Sequence, residues 1–167
     1  MHHRTSTSCP LCHNHQTLPH ILNFCPVSLN QGRFTWRHNS VLHHLCLTLR
    51  TAYATVSHPP NIFADLPGCL SPSGTTIPPN ILYTSQRPDL VLIFSYHKIV
   101  LLELTVPFEP NISSARCCKS DKYAPLISDL KSAGYFPKLL LLEVGSRGSR
   151  HARLCFWPSS VCYCGQI

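Results

Sequence analysis

Apolar positions change their period several times along the chain, and each change predicts an element. In residues 35–56, Val41, Leu42, Leu45, Leu49, Ala52, Tyr53 and Val56 recur three or four apart, the spacing of one helix face. Residues 81–84, 88–94 and 99–108 are short runs rich in Ile, Leu, Val and Phe, which predicts three strands. Ser95-Tyr96-His97-Lys98 separates the last two and predicts an antiparallel hairpin. Residues 113–133 read as a helix, capped by Ser113 or Ser114 and ended by Gly134. Residues 138–144 are almost wholly aliphatic, as in a strand buried on both faces. The order helix, three strands, helix, strand predicts an α/β domain with a mixed sheet flanked by helices.

Three stretches carry no such pattern. Residues 1–26 are dense in Cys, His and Pro and cannot build a core from side chains alone. Residues 57–80 are Pro-rich and read as a long loop inside the domain. Residues 149–167, with Cys155, Cys162 and Cys164, read as an unrelated, disordered tail. The division is a small module at 1–30, the α/β domain at 31–148 and the tail.

Composition narrows the function classes. At 167 residues the chain has no room for a multidomain enzyme. Fourteen Lys and Arg against seven Asp and Glu give a net charge of +7, which favours an anionic partner such as nucleic acid. Ten Cys fall short of the density of a disulfide scaffold. The N-terminus has no apolar signal segment, and Lys98 and Glu103 interrupt the longest apolar run, so neither secretion nor a membrane span is expected. An intracellular setting follows, in which clustered Cys and His more often bind metal than pair with each other.

Cys9-x2-Cys12-x7-His20-x4-Cys25 offers three thiolates and an imidazole, the ligand set of a closed structural Zn²⁺ site. The two-residue spacing of Cys9 and Cys12 lets both sulfurs face one ion. His13 and His15 compete with His20 for the imidazole position. The plainer alternative is that these are incidental cysteines in a Cys-rich chain. A closed site has no open position for chemistry, so its use would be to present basic groups to nucleic acid.

With so few acids, their places carry information. Asp89 opens one apolar strand and Glu103 lies inside the next, and the hairpin brings them together across thirteen intervening residues. Two adjacent carboxylates repel unless a divalent cation such as Mg²⁺ neutralises them. On the following helix the apolar stripe Ala115, Leu126, Leu130, Ala133 is completed by Lys119 and Lys122, which should point back at the acids. There a cation could position water and offset charge on a phosphate. The alternative is that both lysines snorkel to solvent and merely pair with the carboxylates.

Arg87-Pro88-Asp89, thirteen residues, then Glu103-Leu104-Thr105 resembles the PD-(D/E)xK nuclease pattern. The resemblance widens with the Cys/His module, with Leu29-Asn30-Gln31-Gly32-Arg33, with Thr35-Trp36-Arg37-His38-Asn39, with Lys119 and Lys122-Tyr123, and with Glu143-Val144-Gly145-Ser146-Arg147-Gly148. Together these are similar to the C-terminal end of non-LTR retrotransposon polyproteins, over residues 9–148. That resemblance implies a zinc knuckle followed by a restriction-endonuclease-like domain that nicks target DNA to prime reverse transcription, in a truncated fragment. It implies Asp89 and Glu103 as Mg²⁺ ligands and Lys119 or Lys122 as the motif's lysine, since Thr105 stands where most such nucleases have it. Arg33, Arg37, His38 and Arg87 become candidate contacts to nucleic acid. The resemblance implies DNA and the element's RNA as partners, in the nucleus if the protein is functional. The alternative is a catalytically dead, zinc-containing nucleic-acid-binding remnant, and a still plainer one an unfolded product.

Overall fold

A computed structural model of the chain describes residues 8–106, 112–145 and 150–155. A single π-helical turn, His20–Phe24, leads into α1 (Pro26–Asn30) and α2 (Arg33–Tyr53). Then follow β1 (Asn61–Ala64), β2 (Leu90–Ile93), β3 (Lys98–Thr105), α3 (Ile112–Ser132), β4 (Phe136–Val144) and β5 (Arg150–Cys155). The five strands form one sheet in the order β1-β2-β3-β4-β5. Only β3 and β4 run parallel, because α3 is the crossover between them, and the other pairs are antiparallel.

Strand alternation assigns each face to one helix. Val91, Ile99, Leu101, Leu139 and Leu141 face α3 and pack with Tyr123, Leu126, Ile127 and Leu130. Leu90, Leu92, Leu102 and Leu104 face the other way and pack with Leu42 and Cys46 of α2, with Ala64 and Leu66 beside them. The α/β architecture with a mixed sheet between helices is therefore as the sequence predicts. Each fully buried leucine in these clusters contributes about 1.5–3 kcal/mol.

The hairpin also forms as expected. Phe94 N–H donates to the Lys98 carbonyl at 2.9 Å, and Tyr96 and His97 take φ of 59° and 60° in the turn. Gly134, with φ of 85°, ends α3, and the Tyr135 amide reaches back to the Leu130 carbonyl at 3.0 Å.

Four expectations are corrected. The loop at 57–80 contains a strand, β1, because Asn61–Ala64 is short enough to be hidden among prolines yet pairs with β2 through its full length. No strand forms at 81–84: Pro78 accepts from the amides of Ile81 and Leu82, a turn that turns both side chains into the α3-side core. The helix α3 begins at Ile112, so Ser113 and Ser114 lie inside its first turn. Residues 150–155 of the expected tail pair antiparallel with β4, since the edge of β4 offers unpaired backbone groups that a strand of any sequence can satisfy. Cys162 and Cys164 lie outside the described residues.

Candidate functional sites

The N-terminal site is built from a tight turn and a helix start. Cys9 N–H donates to the Asn14 carbonyl at 2.7 Å and His13 N–H to the Cys9 carbonyl at 2.9 Å, with His13 itself at φ 61°. This knuckle sets Cys9 and Cys12 on one side. Cys25 precedes Pro26 at the start of α1, and the Ser28 backbone N–H lowers its thiol to about 6, so the sulfur is prepared as thiolate. Burial raises the Cys12 thiol.

The donor atoms of Cys9, Cys12, His20 and Cys25 lie within 4.8 Å of one another. Cys9 Sγ and Cys25 Sγ are 3.9 Å apart and Cys12 Sγ is 3.1 Å from His20 Nε2. Zinc bonds of about 2.3 Å to sulfur place two tetrahedral sulfurs about 3.8 Å apart, and a sulfur and an imidazole nitrogen about 3.5 Å apart. The four residues fit a Zn²⁺ ion. His13 and His15 are exposed and outside the cluster, which resolves the open choice of imidazole in favour of His20.

The second site lies at the far end of the hairpin. Leu90 pairs with Leu102, so one step along the ladder Asp89 faces Glu103. The Asp89 amide donates to Glu103 Oε2 at 3.3 Å, and the Leu104 amide to Asp89 Oδ2 at 2.7 Å. Glu103, 2% exposed, points to the α3 face, where Lys119 Nζ is hydrogen-bonded to its Oε1 and Lys122 Nζ lies 3.9 Å away. The two acids and two lysines singled out in the sequence are thus brought together.

Lys122 is steadied by the Tyr123 hydroxyl at 2.9 Å, which itself donates to the Arg87 carbonyl at 3.2 Å. Burial, with Glu103 nearby, keeps that phenol protonated by pushing its pKa up. The Gln86 side-chain amide holds the Lys122 carbonyl at 3.3 Å.

Asp89, Glu103 and the Leu104 carbonyl are oxygen donors, the set a hard divalent cation takes. Asp89 Oδ1 accepts no hydrogen bond among the described residues, whereas Glu103 Oε1 is committed to lysine. Among the described residues, only the Cys/His group brings three or more Cys, His, Asp or Glu donors close enough to share one ion.

The candidate contacts to nucleic acid separate. Arg33 is exposed and donates to the Gln31 side chain at 2.9 Å. Arg37 packs over the Phe34 ring, 5.5 Å from its centre, and burial lowers its pKa. Arg87 pairs with Asp65 at 2.6 Å. His38 turns inward: its Nε2 is 3.3 Å from Asp89 Oδ2 and 3.3 Å from the Leu104 carbonyl.

Sequence reasoning missed that last contact, as well as a second buried ion pair. Arg116 donates to both oxygens of Glu143 at 2.9 and 2.8 Å, and Glu143 is 1% exposed. A signal existed for it, since Arg116 lies three residues before Lys119 on the same helix face and Thr105 of β3 pairs with Glu143 of β4. No described helix is long and apolar enough to cross a membrane. Compared with known proteins, the chain matches no family model, no curated protein and no solved structure.

Proposed function

We propose that this chain is a metal-dependent DNA endonuclease domain of the restriction-enzyme-like kind, resembling the end of a non-LTR retroelement polyprotein. The supporting observation is the pairing of Asp89 with Glu103 at the hairpin end, with Lys119 and Lys122 reaching across from α3. Asp89, Glu103 and the Leu104 carbonyl would hold Mg²⁺, which when bound supplies an activated water and polarises the scissile phosphate.

The chain's own groups have separable roles. The Asp89 carboxylate is oriented by the Leu104 amide, so its free oxygen has a fixed direction. Lys119 balances the buried Glu103 and leaves an ammonium beside the acids, where it offsets charge developing on a phosphate. Tyr123 and Gln86 keep Lys122 within reach of the same place. The zinc module and the excess of basic residues supply non-specific attraction for DNA and for the element's RNA.

One observation favours the second reading, a zinc-containing nucleic-acid-binding remnant without catalysis. Glu103 is already neutralised by Lys119, so the buried carboxylate does not require a metal. Both readings predict DNA binding that weakens with salt. Nicking of supercoiled plasmid by the full chain with Mg²⁺ or Mn²⁺ separates them. Cleavage by the wild type that Asp89→Ala and Glu103→Gln abolish supports the enzyme. No nicking, or equal nicking by the variants, rejects it.

A further inference from the structure

We infer that His38 is a nitrogen ligand of the divalent cation at the hairpin end, and that it makes the site take Mn²⁺ in preference to Mg²⁺. This rests on the metal-site reading above, and it reassigns a side chain whose sequence context points to phosphate.

The geometry carries the argument. His38 Nε2 is equidistant, at 3.3 Å, from Asp89 Oδ2 and the Leu104 carbonyl oxygen. An ion about 2.1 Å from each donor sets neighbouring donors about 3.0 Å apart in an octahedral shell and about 3.4 Å apart in a tetrahedral one. The two nitrogen–oxygen spacings lie between these values, so the ring nitrogen already stands from each oxygen at the separation of two ligands to one ion. The three atoms come from three elements: α2, the lead into β2, and β3.

The ring is also held as a metal-binding imidazole is. Its Nδ1 is 3.1 Å from Asn39 Oδ1, and a proton donated there anchors the ring, so that Nε2, which without an ion donates its proton toward the two oxygens, can exchange that proton for the cation. One turn further on, Leu42 is fully buried, which fixes the rotation of α2 about its axis. Glu103 belongs to the other half of the site, drawn to Lys119 and Lys122. The innermost donors are thus one nitrogen and two oxygens. Mg²⁺ holds to oxygen and dehydrates reluctantly, whereas imidazole is an ordinary ligand of transition metals, and Mn²⁺ accepts carboxylate, carbonyl and imidazole together.

The test is Mn²⁺ binding to the zinc-loaded full chain, followed by electron paramagnetic resonance, with the ¹⁴N modulation of the bound ion as a readout independent of cleavage. The wild type should bind Mn²⁺ with a nitrogen coupling. His38→Ala should lose the coupling and weaken Mn²⁺ binding about tenfold or more, while the affinity for Mg²⁺, read by displacement, changes by less than about threefold. His38→Gln keeps a hydrogen-bond donor, so a ring that merely braces Asp89 would be rescued by it. Loss of coupling in His38→Gln together with weakened Mn²⁺ supports ligation. Binding that depends on Asp89 but shows no coupling, or is unchanged in His38→Ala, overturns the inference and leaves the metal site standing. Absence of any Mn²⁺ binding that Asp89→Asn removes overturns both.

Discussion

Replacing Cys25 by Ser tests what holds the N-terminal module together. Neither apolar cluster includes a residue before Val41, and Leu18, Ile21, Phe24 and Leu29 of the module are 39–63% exposed. Its apolar side chains therefore contribute little, and a bound zinc is the expected source of order in residues 8–30. Structural zinc contributes about 10–16 kcal/mol to such peptides, or about 2.5–4 kcal/mol for each of four ligands. At about 1.4 kcal/mol per decade, Cys25→Ser should weaken zinc binding about 10²- to 10³-fold. A chromogenic zinc chelator in competition with the protein measures this directly. Hydrogen exchange should then show residues 8–30 losing protection while β2, β3 and β4 keep theirs, since the hydrogen bond that ties the module to the end of β3, from Asn23 to the Val106 carbonyl, is long at 3.5 Å. Unchanged affinity in Cys25→Ser, or unchanged protection of the module after chelation, would refute the reasoning. So would a loss in His13→Ala equal to that in His20→Ala.

Other perturbations address the domain. Arg116→Met strands the buried Glu143 carboxylate and should destabilise by about 3–5 kcal/mol in urea unfolding, whereas Arg116→Met with Glu143→Leu should recover most of it. Equal losses in the single and double variants would mean the pair is not acting as a pair. Leu130→Ala opens a cavity at a fully buried position under α3 and should lower stability by about 2–5 kcal/mol by the same measurement. His38, in protein free of divalent ions other than the module's zinc, should titrate near 9 instead of 6.5, first because of its hydrogen bond to Asp89. A folded value above the unfolded one stabilises fully below pH 6.5, and that contribution is lost as pH rises through about 9. Imidazole chemical shifts give the midpoint, and a wild-type value near 6.5, or one that Asp89→Asn does not lower, contradicts the contact.

How far the sequence reached follows from which signals are local. The period of the apolar residues in α2, β3 and β4 is a property of neighbouring positions, so those elements were legible without a fold. The same holds for Cys9, Cys12, His20 and Cys25, which lie within seventeen positions of one another. Even the meeting of Asp89 with Glu103 was legible, because a hairpin with a four-residue turn fixes its own register. Lys119 and Lys122 announced themselves by interrupting an apolar stripe.

What tertiary structure decided is of another kind. Asn61–Ala64 becomes a strand only because β2 offers it a partner, and Arg150–Cys155 only because β4 has an open edge. Ile81 and Leu82 look like strand residues, yet a turn at Pro78 sends them into the core. Most telling is the α2 segment, where Arg37 and His38 are equivalent as sequence, a basic pair on a helix. Burial of Leu42 sets the rotation of that helix, and the rotation sends His38 to Asp89, while Arg37 lies over Phe34 on the same helix. A periodic pattern states which face of a helix is apolar, but where each polar neighbour lands depends on the surface the helix is pressed against, and that surface is assembled from residues fifty and more positions away.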